Sequence, residues 1–185
     1  MKTKLLFFFS LLALNSCNSQ SNYKKVADEI ATIAQEPTNM NTGKEKYILD
    51  VPEGWTTKHK NAYGVDMYFL LAPKTKEDPN TNINVVTESM QNLSFDNYKI
   101  GMMESIKNSI PSASILAQGD MSADGIKGGW YSYTMESHGI KATLVSYIFP
   151  KNGIAYIITA GTQDKDAVRY RNTFDLVAKS LKFDK

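Results

Sequence analysis

Residue types that commonly perform catalysis are scarce in this chain. A nucleophilic serine, cysteine or threonine needs a base beside it and a third group that orients the base. The chain holds two histidines, His59 and His138, and one cysteine. His59 stands between two lysines in a segment that we predict to be an exposed loop, and His138 precedes a glycine in a predicted turn. No nucleophile-elbow or zinc-protease motif is present, so we expect no enzyme activity.

The nearest approach to a metal motif is Asp78-Pro79-Asn80-Thr81-Asn82, which matches the first three ligand positions of a calcium-binding loop. Its sixth position is Ile83, where that loop needs glycine, and its twelfth is Ser89, where it needs glutamate. A phosphate-binding glycine loop and a dinucleotide fingerprint are also missing. We therefore expect no metal ion and no cofactor.

The single cysteine, Cys17, follows an apolar segment near the start of the chain. Two lysines in residues 1–4 precede an almost continuously apolar run at residues 5–14, which is typical of a secretory signal. The run is about half the roughly 20 residues that a transmembrane helix needs. Its ending, Leu14-Asn15-Ser16-Cys17, resembles the bacterial lipobox, which implies cleavage before Cys17 and acylation of the new terminus. We predict a signal peptide at residues 1–16 and a palmitate-type lipid anchor at Cys17, with an ordinary signal peptide and a free thiol as the alternative.

Lipidation predicts where the mature chain lies. Two or three acyl chains anchor a protein stably, at about 0.8 kcal/mol per buried CH2 group. The residues after Cys17 lack the acidic run that some surface-exported lipoproteins carry. We expect attachment to the cell membrane or the outer membrane, with the protein facing the periplasm.

Charge argues against nucleic acid as a partner. The chain has 21 Lys and Arg residues and 19 Asp and Glu residues, and two of the lysines lie in the predicted signal. The mature chain is therefore close to neutral and has no long-range field that attracts phosphates. At 42% hydrophobic and 22% charged residues, its composition is that of an ordinary globular protein.

A tether at residues 17–45 precedes the globular part of the chain. Within the tether we predict a short amphipathic helix at 22–36 and a polar linker. The remainder, 46–185, reads as one domain. We predict strands at 47–51, 65–71, 83–90, 115–120, 129–136, 140–149 and 153–160. One helix follows the third strand, running from Phe95 to Pro111, and a second ends the chain after a cap at Thr162 or Asp164.

Apolar residues occupy both faces of the strands at 144–149 and 154–160, so each side of the sheet must be covered. Tight-turn sequences such as Asp124-Gly125 and Asn152-Gly153 join consecutive strands and favour antiparallel pairing. The predicted fold class is α+β, an antiparallel β-sheet flanked by helices in an α/β/α sandwich.

Aromatic residues are the remaining candidates for a functional site. We name Trp55, Tyr63, Trp130 and Tyr131 as a candidate binding surface, because tryptophan and tyrosine recur in binding hot spots. Alternation along a strand sends Trp130 and Tyr131 to opposite faces of the sheet. Packing in the core is the alternative for most of the aromatic residues.

The order of these elements, opened by Tyr-x-Leu-x-Val-Pro-x-Gly-Trp at residues 47–55, resembles the PsbP-like superfamily, which includes PsbP, Mog1 and the DcrB-like bacterial lipoproteins. The likeness continues through the Ile83-Asn84-Val85 strand, the Gly129-Trp130 strand and the closing Ala178-Lys179-Ser180-Leu181. It implies an α/β/α fold around an antiparallel sheet, and a binding or assembly role.

We therefore expect a non-catalytic, membrane-anchored envelope lipoprotein that binds an envelope protein. The alternative is a periplasmic lipoprotein that binds a small ligand, which predicts a pocket between sheet and helix with a few convergent polar groups.

Overall fold

A computed structural model describes residues 46–62, 65–78, 80–137 and 139–184. The predicted signal peptide at 1–16, the lipidation site Cys17 and the tether up to residue 45 lie outside the described residues, as do Tyr63 and His138.

Nine strands and two α-helices follow one another along the described part of the chain. In order they are β1 (Tyr47–Ile48), β2 (Thr56–Ala62), β3 (Val65–Leu71), β4 (Asn82–Ser89), α1 (Phe95–Ser109), β5 (Ser114–Ala123), β6 (Ile126–Ser137), β7 (Ile140–Lys151), β8 (Ile154–Gln163), α2 (Ala167–Lys179) and β9 (Lys182–Phe183). Strands β2 to β8 form one antiparallel sheet in the order β2-β3-β4-β8-β7-β6-β5, and β1 pairs with β9 in a separate two-stranded sheet.

Two expectations about the first strands were wrong. The predicted strand at 47–51 shortens to β1 and leaves the sheet, because a turn at Pro52 to Trp55, with Gly54 at φ 74°, separates it from β2. The segment around His59 is edge strand β2 and not a loop. Its exposed lysines hid it from a search for alternating apolar residues, although lysine is typical of edge strands.

Helix α1 forms where the sequence predicts it. The Ser94 side chain accepts a hydrogen bond from the backbone N–H of Asn97 and caps the helix. Tyr98, Met102 and Ile106, spaced four residues apart, are buried against the sheet. The helix ends at Ser109, two residues before Pro111.

Helix α2 begins later than predicted. A 3-10 turn at Asp164–Asp166 precedes it, and Asp166 is its N-cap without a side-chain hydrogen bond. Neither proposed cap acts as one: the Thr162 hydroxyl is bonded to Thr81, and the Asp164 carboxylate accepts from Thr143. Phe174, Val177 and Ala178 face the sheet.

The helices lie on opposite faces of the sheet, each over its own core. Both faces of β7 and β8 are buried, as their apolar sequences require. Two hairpin turns also form as predicted, with positive φ at Asp124-Gly125 and at Asn152-Gly153. The α+β fold, an antiparallel sheet flanked by helices, is confirmed.

Candidate binding surfaces

Trp130 lies on the α2 side of the sheet beside a glycine that makes room for it. A Cβ at Gly119 on β5 would stand 2.9 Å from the indole nitrogen. The guanidinium of Arg171 on α2 lies 4.2 Å from the centre of the Trp130 ring. This stack joins α2 to the β5–β6 hairpin through a cation–π contact.

A hydrogen-bond network holds Arg171 in place. Its Nε donates to Asp175 Oδ1 at 3.0 Å, and the hydroxyl of Tyr147 donates to the same oxygen at 2.6 Å. Burial, and then the Asp175 carboxylate, raise the pKa of Tyr147 above its ordinary value. Arg171 is therefore a fixed platform beside Trp130.

Trp55 packs at another point of α2. Its ring meets Tyr170 edge to face, with centroids 6.2 Å apart, and Tyr170 stacks on Phe174 at 5.8 Å. The Tyr170 hydroxyl donates to Asp78 Oδ2 at 2.5 Å. Trp55 and Trp130 are thus both half-buried on the α2 side.

Asp78 is the first residue of the calcium-like pattern, and its oxygens are already bonded. Oδ1 accepts from the backbone N–H and the hydroxyl of Thr81, at 3.2 and 2.6 Å, while Oδ2 accepts from Tyr170. Burial alone would raise the pKa of this carboxyl, but the hydrogen bonds together hold it below its ordinary value. Within the described ranges, no three His, Cys, Asp or Glu side chains stand close enough to hold a metal ion.

Tyr131 does not share a surface with the two tryptophans. It lies on the opposite, α1 side of the sheet, is 1% exposed and contacts Tyr133. Tyr63 lies outside the described residues, and the structure places Trp55 and Trp130 on the α2 side of the sheet, where each contacts a different residue of α2.

The exposed side of α2 carries apolar residues that sequence analysis did not single out. Val168 is 92% exposed and Leu176 is 58% exposed. They stand eight positions apart with exposed Asn172 halfway between them, so they share one side of the helix. We call Val168, Asn172 and Leu176 the α2 ridge. Sequence analysis passed over both apolar residues of the ridge, because only the packing shows which side of the helix faces solvent.

A row of polar side chains crosses the α1 face of the sheet, and sequence analysis missed it. Register aligns Asn84 on β4 with Thr159 on β8, Thr159 with Ser146 on β7, and Ser146 with Tyr131 on β6. All four are buried. We call these four residues the polar row. The alternation of Asn82, Ile83, Asn84 and Val85 was its only sequence signal.

Near the C-terminal end of β4, Glu88 accepts a hydrogen bond from the hydroxyl of Tyr98 on α1. Burial raises the pKa of the Glu88 carboxyl to about 7, and the Tyr98 hydrogen bond opposes this only in part. Burial and the Glu88 carboxylate raise the pKa of Tyr98 as well. The pair links α1 to β4.

Comparison with known proteins supports the fold. No protein-family model and no curated protein matches the chain. Among solved structures, LpqN of Mycobacterium tuberculosis, described as involved in cell envelope biogenesis, matches with a TM-score of 0.60 at 12% identity, over 78% of this chain and 87% of LpqN. CyanoP, the PsbP of Synechocystis sp. PCC 6803, gives 0.55 at 13% identity, over 78% and 96%.

A protein of unknown function from Pseudomonas aeruginosa, PA94, gives a TM-score of 0.57 at 12% identity, over 67% of this chain and 94% of its own. At such identities the likeness establishes the fold, which is the PsbP-like fold implied by the opening motif. None of the helices in the described ranges is long and apolar enough to cross a membrane.

Proposed function

We propose that this protein is a non-catalytic, lipid-anchored lipoprotein of the cell envelope that binds, or helps to assemble, a protein partner. The observation that carries the proposal is the lipobox-like Leu14-Asn15-Ser16-Cys17, followed by a tether and then the PsbP-like fold. An acyl anchor would hold the domain at a membrane surface, where it meets other envelope proteins. The envelope role given for LpqN, which has the same fold, supports this setting.

Three acidic side chains are held by hydrogen bonds within the fold, which supports a structural role for these three. Asp78 is bonded to Thr81 and Tyr170, Asp175 to Tyr147 and Arg171, and Asp164 to Thr143. A general acid or base needs instead a carboxyl that is free to reach a substrate.

The α2 ridge is the partner surface that we favour. Its two aliphatic side chains, Val168 and Leu176, are exposed on one side of the helix, and a protein partner that covers them would remove apolar surface from water. The stack of Trp130 and Arg171 borders α2 on the side of the β5–β6 hairpin, and both residue types recur in hot spots.

The first experiment captures the tagged, lipidated protein from gently solubilised native membranes and identifies what co-purifies. We expect a near-stoichiometric protein that is lost when Val168 and Leu176 are both changed to serine. The matched control is Ile100→Ser, which removes a 47% exposed aliphatic side chain from α1 and should retain the partner. A specific protein lost equally in both variants would contradict the ridge, and a clean blank would contradict the binding role.

The anchor is tested separately with Cys17→Ser. A serine cannot be acylated by the same chemistry, so the variant should move from the membrane pellet to the soluble fraction. If Cys17→Ser still sediments with membranes after a salt wash, the lipid anchor is refuted.

A further inference from the structure

Strand β5 forms one edge of the sheet and leaves one side of its backbone open. It pairs with β6, and no other strand of the described ranges lies against it. The carbonyl oxygen of Gly119 points toward β6, 3.1 Å from the place that a Cβ on Gly129 would take. Residues of an antiparallel strand direct their backbone groups to alternate sides, so Gln118 and Asp120 direct theirs away from β6. Both residues are exposed, and another strand would pair these N–H and C=O groups.

The two edges of the sheet differ in charge. The other edge, β2, carries the exposed lysines Lys58 and Lys60. Lysines on an edge strand prevent other strands from pairing with it. On β5, Asp120 is the only charged residue, and the bulge lies before Ala117, so residues 117–123 pair with β6 in an unbroken register. This part of β5 therefore lacks the protection that β2 has.

Strand β5 is complementary to itself in the antiparallel direction. A two-fold axis at Gly119 sets Gln118 of each copy opposite Asp120 of the other, and these are the residues whose backbone groups point outward. Each such pair can exchange both of its N–H···O bonds, and no like charges face each other. The two glycines meet at the axis, where opposite residues come closest and a glycine leaves room.

The corresponding arrangement fails on β2. A two-fold axis at His59 would set Lys58 of each copy against Lys60 of the other. Like charges directly opposite each other on neighbouring strands are destabilising. Only one of the two edges therefore suits a second copy of the chain.

Side chains match as well on the face of β5 that α2 covers. Met121 and Trp130 pack against the α2 core, and register places Trp130 beside Gly119. Ala117 lies on the same face, two residues before Gly119. The two-fold axis sets Met121 of each copy opposite the exposed Ala117 of the other, so apolar side chains meet and leave water.

We propose that two copies of this protein associate through β5, in antiparallel pairing about a two-fold axis at Gly119, so that their sheets join into one. The occupant of the edge is a second copy because β5 itself supplies the outward backbone groups in register, the absence of opposed like charges and the apolar match. A single pair of strands is a small interface, so we expect a dissociation constant of about 1 to 100 μM. The dimer is independent of the proposed partner at the α2 ridge.

The test is sedimentation equilibrium of the mature, lipidated protein in density-matched detergent, over a range of protein concentrations. We expect a reversible monomer–dimer equilibrium. Gln118→Pro removes an outward N–H and leaves the pairing with β6 in place, so it should raise the dissociation constant at least about tenfold. Gln118→Thr retains the N–H and is the matched control. A wild type that is monomeric up to about 500 μM, or an equal effect of both substitutions, would overturn the proposal.

A second variant covers the case in which Gln118→Pro does not fold, which circular dichroism detects. Gln118→Lys combined with Asp120→Lys changes two exposed side chains and sets lysine against lysine across the axis. This double variant should be monomeric. A double variant that dimerises as the wild type does would overturn the pairing through β5.

Disulfide cross-linking tests the register. The Cα atoms of Gln118 in one copy and Asp120 in the other should lie about 5.5 Å apart, within disulfide range, whereas the two copies of Gln118 should be about 8 Å apart, beyond it. Oxidation of a mixture of Gln118→Cys and Asp120→Cys should therefore give linked dimers, and either variant alone should give few. Oxidised wild type shows what Cys17 contributes. Equal linking in the single variants, or none in the mixture, would overturn the two-fold pairing at Gly119.

Discussion

Glu88 is a buried carboxyl whose ionisation bears on folding. Its pKa in the folded protein, about 7, lies above the ordinary value of 4.5, so the folded state retains a proton that the unfolded state releases. The stability contributed by this proton is fully present below pH 4.5 and is lost as the pH rises through 7. At about 1.4 kcal/mol per pH unit, the loss between these two pKa values amounts to at most about 3.5 kcal/mol.

We predict that Glu88→Gln removes this part of the pH dependence, because glutamine stays neutral and can still accept from Tyr98. The variant should be more stable than the wild type at pH 8 and nearly equal to it at pH 4.5. Urea unfolding at a series of pH values measures both quantities. Glu104→Gln, at an exposed carboxylate of α1, is the control and should follow the wild-type curve. Parallel curves for Glu88→Gln and wild type would contradict the prediction.

Asp78 joins the β3–β4 connection to α2. Removal of its carboxylate in Asp78→Ala would leave the Thr81 N–H and the Tyr170 hydroxyl without an acceptor. We predict a loss of about 1 to 3 kcal/mol in the free energy of unfolding at pH 7. Because the pKa of Asp78 is lowered, the difference from wild type should shrink as the pH falls below about 4.

Chemical denaturation of Asp78→Ala, Tyr170→Phe and the double variant measures this contribution. The two single losses should not add, since each removes the same hydrogen bond. Asp120→Ala, at an exposed site on β5, is the control and should stay within about 0.5 kcal/mol of wild type. Strict additivity would show that Asp78 and Tyr170 are not coupled.

At the scale of elements, the pattern of apolar residues was sufficient to locate those helices and strands that are buried on one face or on both. Helix α1 shows a four-residue apolar spacing, and β7 and β8 are apolar on both faces, so sequence located all three. It failed at β2, where an edge position exposes nearly every described side chain. The candidate sites depend on register and on distant contacts, such as Asn84 beside Thr159 or Arg171 over Trp130, which no local pattern encodes.

The β6–β7 pairing depends on a backbone contact that only glycine permits. A Cβ at Gly128 would lie 2.2 Å from the carbonyl oxygen of Ile148 and 2.8 Å from the Phe149 ring. We predict that Gly128→Ala forces β6 and β7 apart and costs more than about 2 kcal/mol. Thermal unfolding compares it with Ser122→Ala, an exposed site on neighbouring β5 that should change little. If Gly128→Ala were as stable as the wild type, β6 and β7 would be able to make room for the methyl group without loss, and the prediction would be wrong.

The whole molecule consists of two cores of different character on either side of one sheet. The α2 core contains Tyr156, Phe149, Phe174 and Phe183, and edge-to-face pairs such as Tyr156 with Phe183 add about 0.5 to 1.5 kcal/mol each. The α1 core instead gathers methionines, which pack adaptably and specify position weakly. The methionines of the α1 side are Met67, Met90, Met102, Met103 and Met135.

This asymmetry predicts that α1 separates from the sheet at a lower free energy than α2. Helix α2 is joined to the rest of the fold by the hydrogen bonds of Tyr170 with Asp78 and of Asp175 with Tyr147, and by the cation–π contact of Arg171 with Trp130. Among the side-chain interactions described above, α1 has one link to the sheet, the hydrogen bond of Tyr98 with Glu88. Native-state hydrogen exchange should show the buried-face amides of α1 exchanging at least about tenfold faster than those of α2, with β8 slowest. Equal protection of the amides in the two helices would contradict this prediction, because it would show that α1 and α2 separate from the sheet at the same free energy.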